Sequence, residues 1–162
     1  MTLSWDLFTI VFFAALGAVG ALLGRGKALG ILMGSFMGYV VATELGSLAF
    51  DEAKHFAHTQ NFSLFLVKVA LFFATIIILN AKTELSGKGG DDGSLVIGII
   101  YGLLAAGFMA TAILSFLDPG AKVDLLAKSV LITKIDQLKL VWIVAPIGFL
   151  FVADFVKGKV SK

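Results

Sequence analysis

The chain has 162 residues, 59% of them hydrophobic and 15% charged, with a net charge of +2 and no cysteine. Soluble domains are closer to half apolar and a quarter charged, so a mean hydropathy of +0.99 is more than a water-soluble core absorbs. The small, dispersed positive charge gives no nucleic-acid footprint, and the missing thiols exclude a disulfide framework or a thiolate metal site.

The apolar residues fall into long runs separated by short polar clusters, and each run approaches the ~20 residues a helix needs to cross the hydrocarbon layer. Helix is the form an open chain takes in lipid, because every backbone polar group is then satisfied within the segment. The expected fold is an all-α integral membrane protein, one polytopic domain over residues 1–162. Its spans fall at about 7–23, 28–50, 62–79, 95–117 and 140–156. Five crossings are expected, with four as the alternative, and a short amphipathic helix over 122–139 precedes the last.

The first span has no basic residue ahead of Arg25 and no small-residue cleavage site, so it reads as a retained helix rather than a signal peptide. Asp6 precedes it while Arg25 and Lys27 follow it. The positive-inside rule then puts the N-terminus outside and, with five spans, the C-terminus in the cytoplasm beside Lys157, Lys159 and Lys162. Lys122, Lys128, Lys134 and Lys139 fall on the opposite side and narrow the margin. Between them Val123, Leu126, Val130, Leu131, Ile135 and Leu138 recur at three-to-four spacing. That pattern fits a helix lying on the bilayer surface, its lysines reaching lipid head groups, and equally a connecting helix packed on the bundle. Trp5 and Trp142, each at the start of a span, fit anchors at one interface.

The second span carries Gly30, Gly34, Gly38, Ala42 and Gly46, an unbroken spacing of four that leaves one helix face nearly bare. The fourth span repeats the device with Ser94, Gly98, Gly102, Ala106 and Ala110, and the first holds Gly17, Gly20, Ala21 and Gly24. In lipid, burial of apolar surface does not drive helices together, so close van der Waals contact along such ridges becomes a main source of attraction. Static packing within one bundle is the first reading, and a homo-oligomer seam or a sliding surface the second. Spans three and five are instead rich in phenylalanine (Phe62, Phe65, Phe72 and Phe73; Phe149, Phe151 and Phe155), which suits outer positions, and Pro146 is expected to kink span five.

Two charges fall inside spans. Glu44 lies about six residues before the end of span two and Lys68 about six after the start of span three, which in antiparallel helices puts both roughly 9 Å inside one boundary. A structural ion pair is the first expectation. The alternative is a titratable carboxylate in a polar path, also lined by Thr43, of a small channel or proton-coupled carrier. His55 and His58, with Asp51 and Glu52, resemble zinc ligands in type but lack a second ligand pair, so they read as a solvated loop. The glycines between Ser86 and Ser94 lack the closing Lys-Ser/Thr of a phosphate loop. No catalytic residue, metal or cofactor is assigned. The partners expected are the lipid bilayer and a second copy or other membrane proteins, the chain then acting as an accessory subunit of a larger complex; nucleic acid is not among them.

The order of these features resembles the colicin V production protein (CvpA-like) family. The resemblance runs over about residues 4–140. It is carried by Trp5-Asp6 before the first span, the turn at Arg25-Gly26 with Lys27, Leu85-Ser86-Gly87 before a glycine-containing span, and Ser129 in the segment leading to the amphipathic stretch. Two features depart from the pattern: the acid expected after the Arg-Gly turn is missing, and residues 140–156 are unusually apolar. The resemblance implies a non-enzymatic bacterial inner-membrane protein that supports toxin production or export and envelope maintenance. It implies no established catalytic residue, so Arg25, Gly26, Ser86, Gly87 and Ser129 are nominated as family-like positions without a chemical role.

Overall fold

A computed structural model describes residues 4–56, 63–82 and 95–160, with side chains described over 4–54, 63–81 and 95–151. The described residues form six helices and no strand: α1 (Trp5–Phe56), α2 (Leu64–Lys82), α3 (Leu95–Phe116), α4 (Pro119–Lys128), α5 (Val130–Gln137) and α6 (Lys139–Val160). Three helical stretches, Trp5–Lys54, Leu64–Ala81 and Leu95–Phe116, are long and apolar enough to cross a membrane, and Lys139–Phe151 is a shorter apolar one. The chain is a membrane protein.

The first two expected spans are the two arms of α1. Gly24, at φ 77° and ψ 173°, breaks the helix between residues 5–23 and 25–56. That backbone region is essentially restricted to glycine. The contacts on α3 show that the arms run in opposite directions. Along the first arm, Leu16, Gly17 and Gly20 meet Gly102, Leu103 and Gly98, so that arm is antiparallel to α3. Along the second, Ala28 and Leu32 pack with Tyr101 and Ala105, and Tyr39 stacks on Phe116 at 5.8 Å, so that arm is parallel to it. One residue thus makes the reversal that the sequence assigns to the Arg25-Gly26 turn. Arg25 and Gly26 are already in the first turn of the second arm.

Both small-residue ridges are used inside this bundle. Gly30, Gly34, Gly38, Ala42 and Gly46 are all buried. A Cβ on Gly34 would press on Ile76 and Asn80, on Gly38 against the Phe72 carbonyl at 2.8 Å, and on Gly46 against the Lys68 stem at 2.6 Å. The ridge therefore seats antiparallel α2. On α3, Gly98, Gly102 and Ala106 are buried and Ala110 half-buried. A Cβ on Gly98 would meet the Gly20 carbonyl oxygen and one on Gly20 the Gly98 carbonyl oxygen, so these backbones are in direct contact. Ser94, at the head of that ridge, lies outside the described residues.

Helix α3 is the central helix, with α1 and α6 packed along it. α6 runs antiparallel to α3, as Trp142 covers Gly107 and Phe149 meets Tyr101 with ring centroids 5.2 Å apart. The helix continues through Pro146, which is buried. α2 lies toward the outside as its composition suggests, with Leu66, Phe73, Ile77 and Ile78 exposed, yet Phe72 is fully buried in the core with Ala42, Met109 and Phe116. Phe62 lies outside the described residues, as does the side chain of Phe155.

The expected amphipathic helix over 122–139 is two helices. Pro119 fixes the first turn of α4, the position where its missing N–H costs nothing. Ser129, extended at φ −144° and ψ 122°, then ends α4 and caps α5. A three-to-four periodicity continues across such a break unaltered, which is why the pattern alone reads as one helix.

Candidate functional site: the polar end of the bundle

The start of α1, the end of α3 and the α4–α5 pair meet at one end of the molecule. The Ser129 hydroxyl accepts from the Ile132 N–H at 3.1 Å, as an N-cap does, and donates to Asp6 Oδ1 at 2.5 Å. The Leu131 N–H donates to the same oxygen at 3.1 Å. A carboxylate carried by α1 thus serves the free N–H groups and the positive end of α5. The Thr133 hydroxyl lies 2.9 Å from the carbonyls of both Leu126 and Ser129. Lys122 and Asp136 close the pair with an ion pair at 2.6 Å, their side chains about a quarter exposed.

Beneath this ion pair lies a vestibule of about 180 Å³ lined by Tyr39, Thr111, Ser115, Lys122, Asp136 and Lys139. Thr111 and Ser115 donate to the Gly107 and Ala112 carbonyls at 2.9 and 2.7 Å, which leaves their oxygens free to accept. Phe108 also lines the vestibule and packs against Phe36 with ring centroids 4.0 Å apart and the planes tilted by 30°. Below that pair comes the buried cluster of Ala28, Leu32, Tyr101 and Ala105.

Glu44 and Lys68 belong to this polar end. Phe116, the last residue of α3, meets Tyr39 and Phe72. Glu44 follows Tyr39 by five residues and Lys68 precedes Phe72 by four, so both stand roughly 6–8 Å beyond the end of α3. Gly46 lies against the Lys68 stem, so Glu44 and Lys68 stand at about one level of the bundle. The expected ion pair is not made: among the described residues none joins Glu44 to Lys68. Glu44 is two positions from both Ala42 and Gly46, roughly 200° around the helix from the ridge that faces α2, and is exposed on the far side.

Trp5 and Trp142 are at the same end but not at one level. Trp142 packs on Phe13 with centroids 5.7 Å apart, eight residues or roughly 12 Å along the first arm from Trp5. Its ring is packed between α1 and α3, against Phe13 and Gly107. Ser86, Gly87 and His58 lie outside the described residues, as does the side chain of His55. No cluster of metal-binding side chains occurs among the described residues.

Of the residues in the α1–α5 contact, the sequence nominates Ser129 as a family-like position. Asp6 reads from sequence as a topology marker, and its partner 123 residues away leaves no local signal. Thr111 and Ser115, hydroxyls four apart in an apolar span, form a polar stripe and are the mark by which the vestibule was findable. No protein-family model matches the chain, and neither a curated protein nor a solved structure matches it.

Proposed function

We propose that the chain is a non-enzymatic protein of the bacterial inner membrane, crossing it five times, that supports export or envelope maintenance as a self-contained helical unit. The resemblance to the colicin V production family supports that role. The observation that favours a supporting unit over a channel is the apolar packing next to the vestibule, where Phe108 of its wall meets Phe36 beside the buried cluster of Ala28, Leu32, Tyr101 and Ala105. The use of both small-residue ridges within one chain favours a folded monomer over an oligomer seamed by them. Its partners in this reading are the bilayer and other membrane proteins.

Purified protein in proteoliposomes should pass no more ions or solutes than empty vesicles. A flux that disappears in Glu44→Gln while folding is intact would establish the carrier reading instead. Topology can be read directly in this cysteine-free chain. Ser4→Cys should react with an impermeant maleimide from outside the cell, whereas Lys27→Cys and Lys159→Cys should be protected. Labelling of Lys159→Cys on the same side as Ser4→Cys rules out an odd number of crossings.

A further inference from the structure

The geometry points to a binding site for one anionic phospholipid at the α4–α5 end, its phosphate at Lys128 and Lys134 and an acyl chain between α1, α5 and α6. Two adjoining cavities carry the inference. One, of about 360 Å³, is polar and open, lined by Asp6, Lys128, Ser129, Thr133, Lys134 and Gln137. The other, of about 350 Å³, is an apolar groove walled by Ile10, Phe13, Ile135, Leu138 and Trp142. Lys134 lines both. A cationic pocket opening onto an apolar groove is the outline of a phospholipid, and a free phosphate would leave the groove unused.

The charges are suited to an anion. Lys128 and Lys134 are exposed, and among the described residues neither is ion-paired. Asp6 opposes them, but its Oδ1 is already occupied by the Ser129 hydroxyl and the Leu131 N–H. Two lysines against one aspartate leave the pocket positive. The Trp142 ring gives the groove a broad apolar wall. Exposed Val123, Val130 and Leu138 extend the apolar surface of the same helix pair toward the bilayer.

The test uses the full chain, stripped of lipid in mild detergent and offered equimolar phosphatidylglycerol and phosphatidylcholine with identical acyl chains, with bound lipid read by native mass spectrometry. Phosphatidylglycerol should be favoured by about tenfold. The double substitution Lys128→Gln and Lys134→Gln should bring the ratio near one. Ile10→Trp, which fills the groove, should reduce retention of both lipids. Glycerol phosphate in excess should not displace bound phosphatidylglycerol. A ratio near one in the unsubstituted protein, a ratio unmoved by the double substitution, or complete displacement by glycerol phosphate would overturn the proposal. Should the double variant lose its helicity, salt at about 0.5 M on the unsubstituted protein replaces it: the preference must collapse, and its persistence counts equally against the site.

Discussion

The Ser129 hydroxyl donates to the Asp6 carboxylate at 2.5 Å, which ties the first turn of α1 to the first turn of α5 across 123 residues of sequence. The same hydroxyl accepts from Ile132, so one side chain both caps α5 and anchors it.

Removing that hydroxyl should therefore loosen α4–α5 as a unit. Ser129→Ala is expected to lower stability by about 1 kcal/mol through the lost cap, and to raise amide exchange across Val130–Gln137 while leaving α3 protected. Asp6→Asn should act in the same direction. Because the two residues share a bond, the double variant should be less destabilised than the sum of the singles. Additive effects in a thermal-unfolding cycle would show that the bond does not couple them.

The glycines of the two ridges should differ in what they tolerate. A Cβ on Gly20 meets backbone, the Gly98 carbonyl and the Gly102 Cα, neither of which can turn aside. A Cβ on Gly46 meets the flexible stem of Lys68. Gly20→Ala is expected to cost about 1–3 kcal/mol by forcing two helices apart, and Gly46→Ala much less. Equal losses in detergent unfolding would contradict the backbone contact.

At Gly24 the obstacle is conformation, since nothing lies within 4 Å of an added Cβ. Gly24→Ala should cost about 1–3 kcal/mol through backbone strain, and a D-amino acid introduced by semisynthesis, for which φ 77° and ψ 173° are the mirror image of ordinary extended backbone, should cost less. A tolerant Gly24→Ala would mean that the reversal does not need a positive φ.

Glu44 and Lys68 should behave as independent surface groups. Glu44→Gln and Lys68→Met are each expected within about 0.5 kcal/mol of the unsubstituted protein, with a coupling term near zero in the double variant. A strong coupling would restore the ion pair that the spacing suggests.

Helix positions and ridges were legible because both are periodic, and periodicity is a property of neighbours along the chain. Their partners were not. Gly34 and Gly38 announce a close contact but do not say that it is made by Ile76 and Phe72 of the same chain. Glu44 and Lys68 show the same limit more sharply. Rise per residue places them at one level, yet pairing also requires the right angle about each axis, and two positions past Ala42 is the wrong side. The Asp6–Ser129 bond has no local trace at all, because a cap donated from the far end of the sequence is made by the fold and not by the segment it stabilises.

The reversal at Gly24 has one more implication, for how this protein tolerates change in length. Loops usually absorb insertions, because slack in them leaves the flanking helices where they were. Here a single residue separates the arms. One residue added or removed turns the second arm by roughly 100° relative to the first, and Gly30, Gly34 and Gly38 no longer face α2. The most natural place to splice a tag or an extra residue into this chain, between its first two spans, is therefore one of the least permissive.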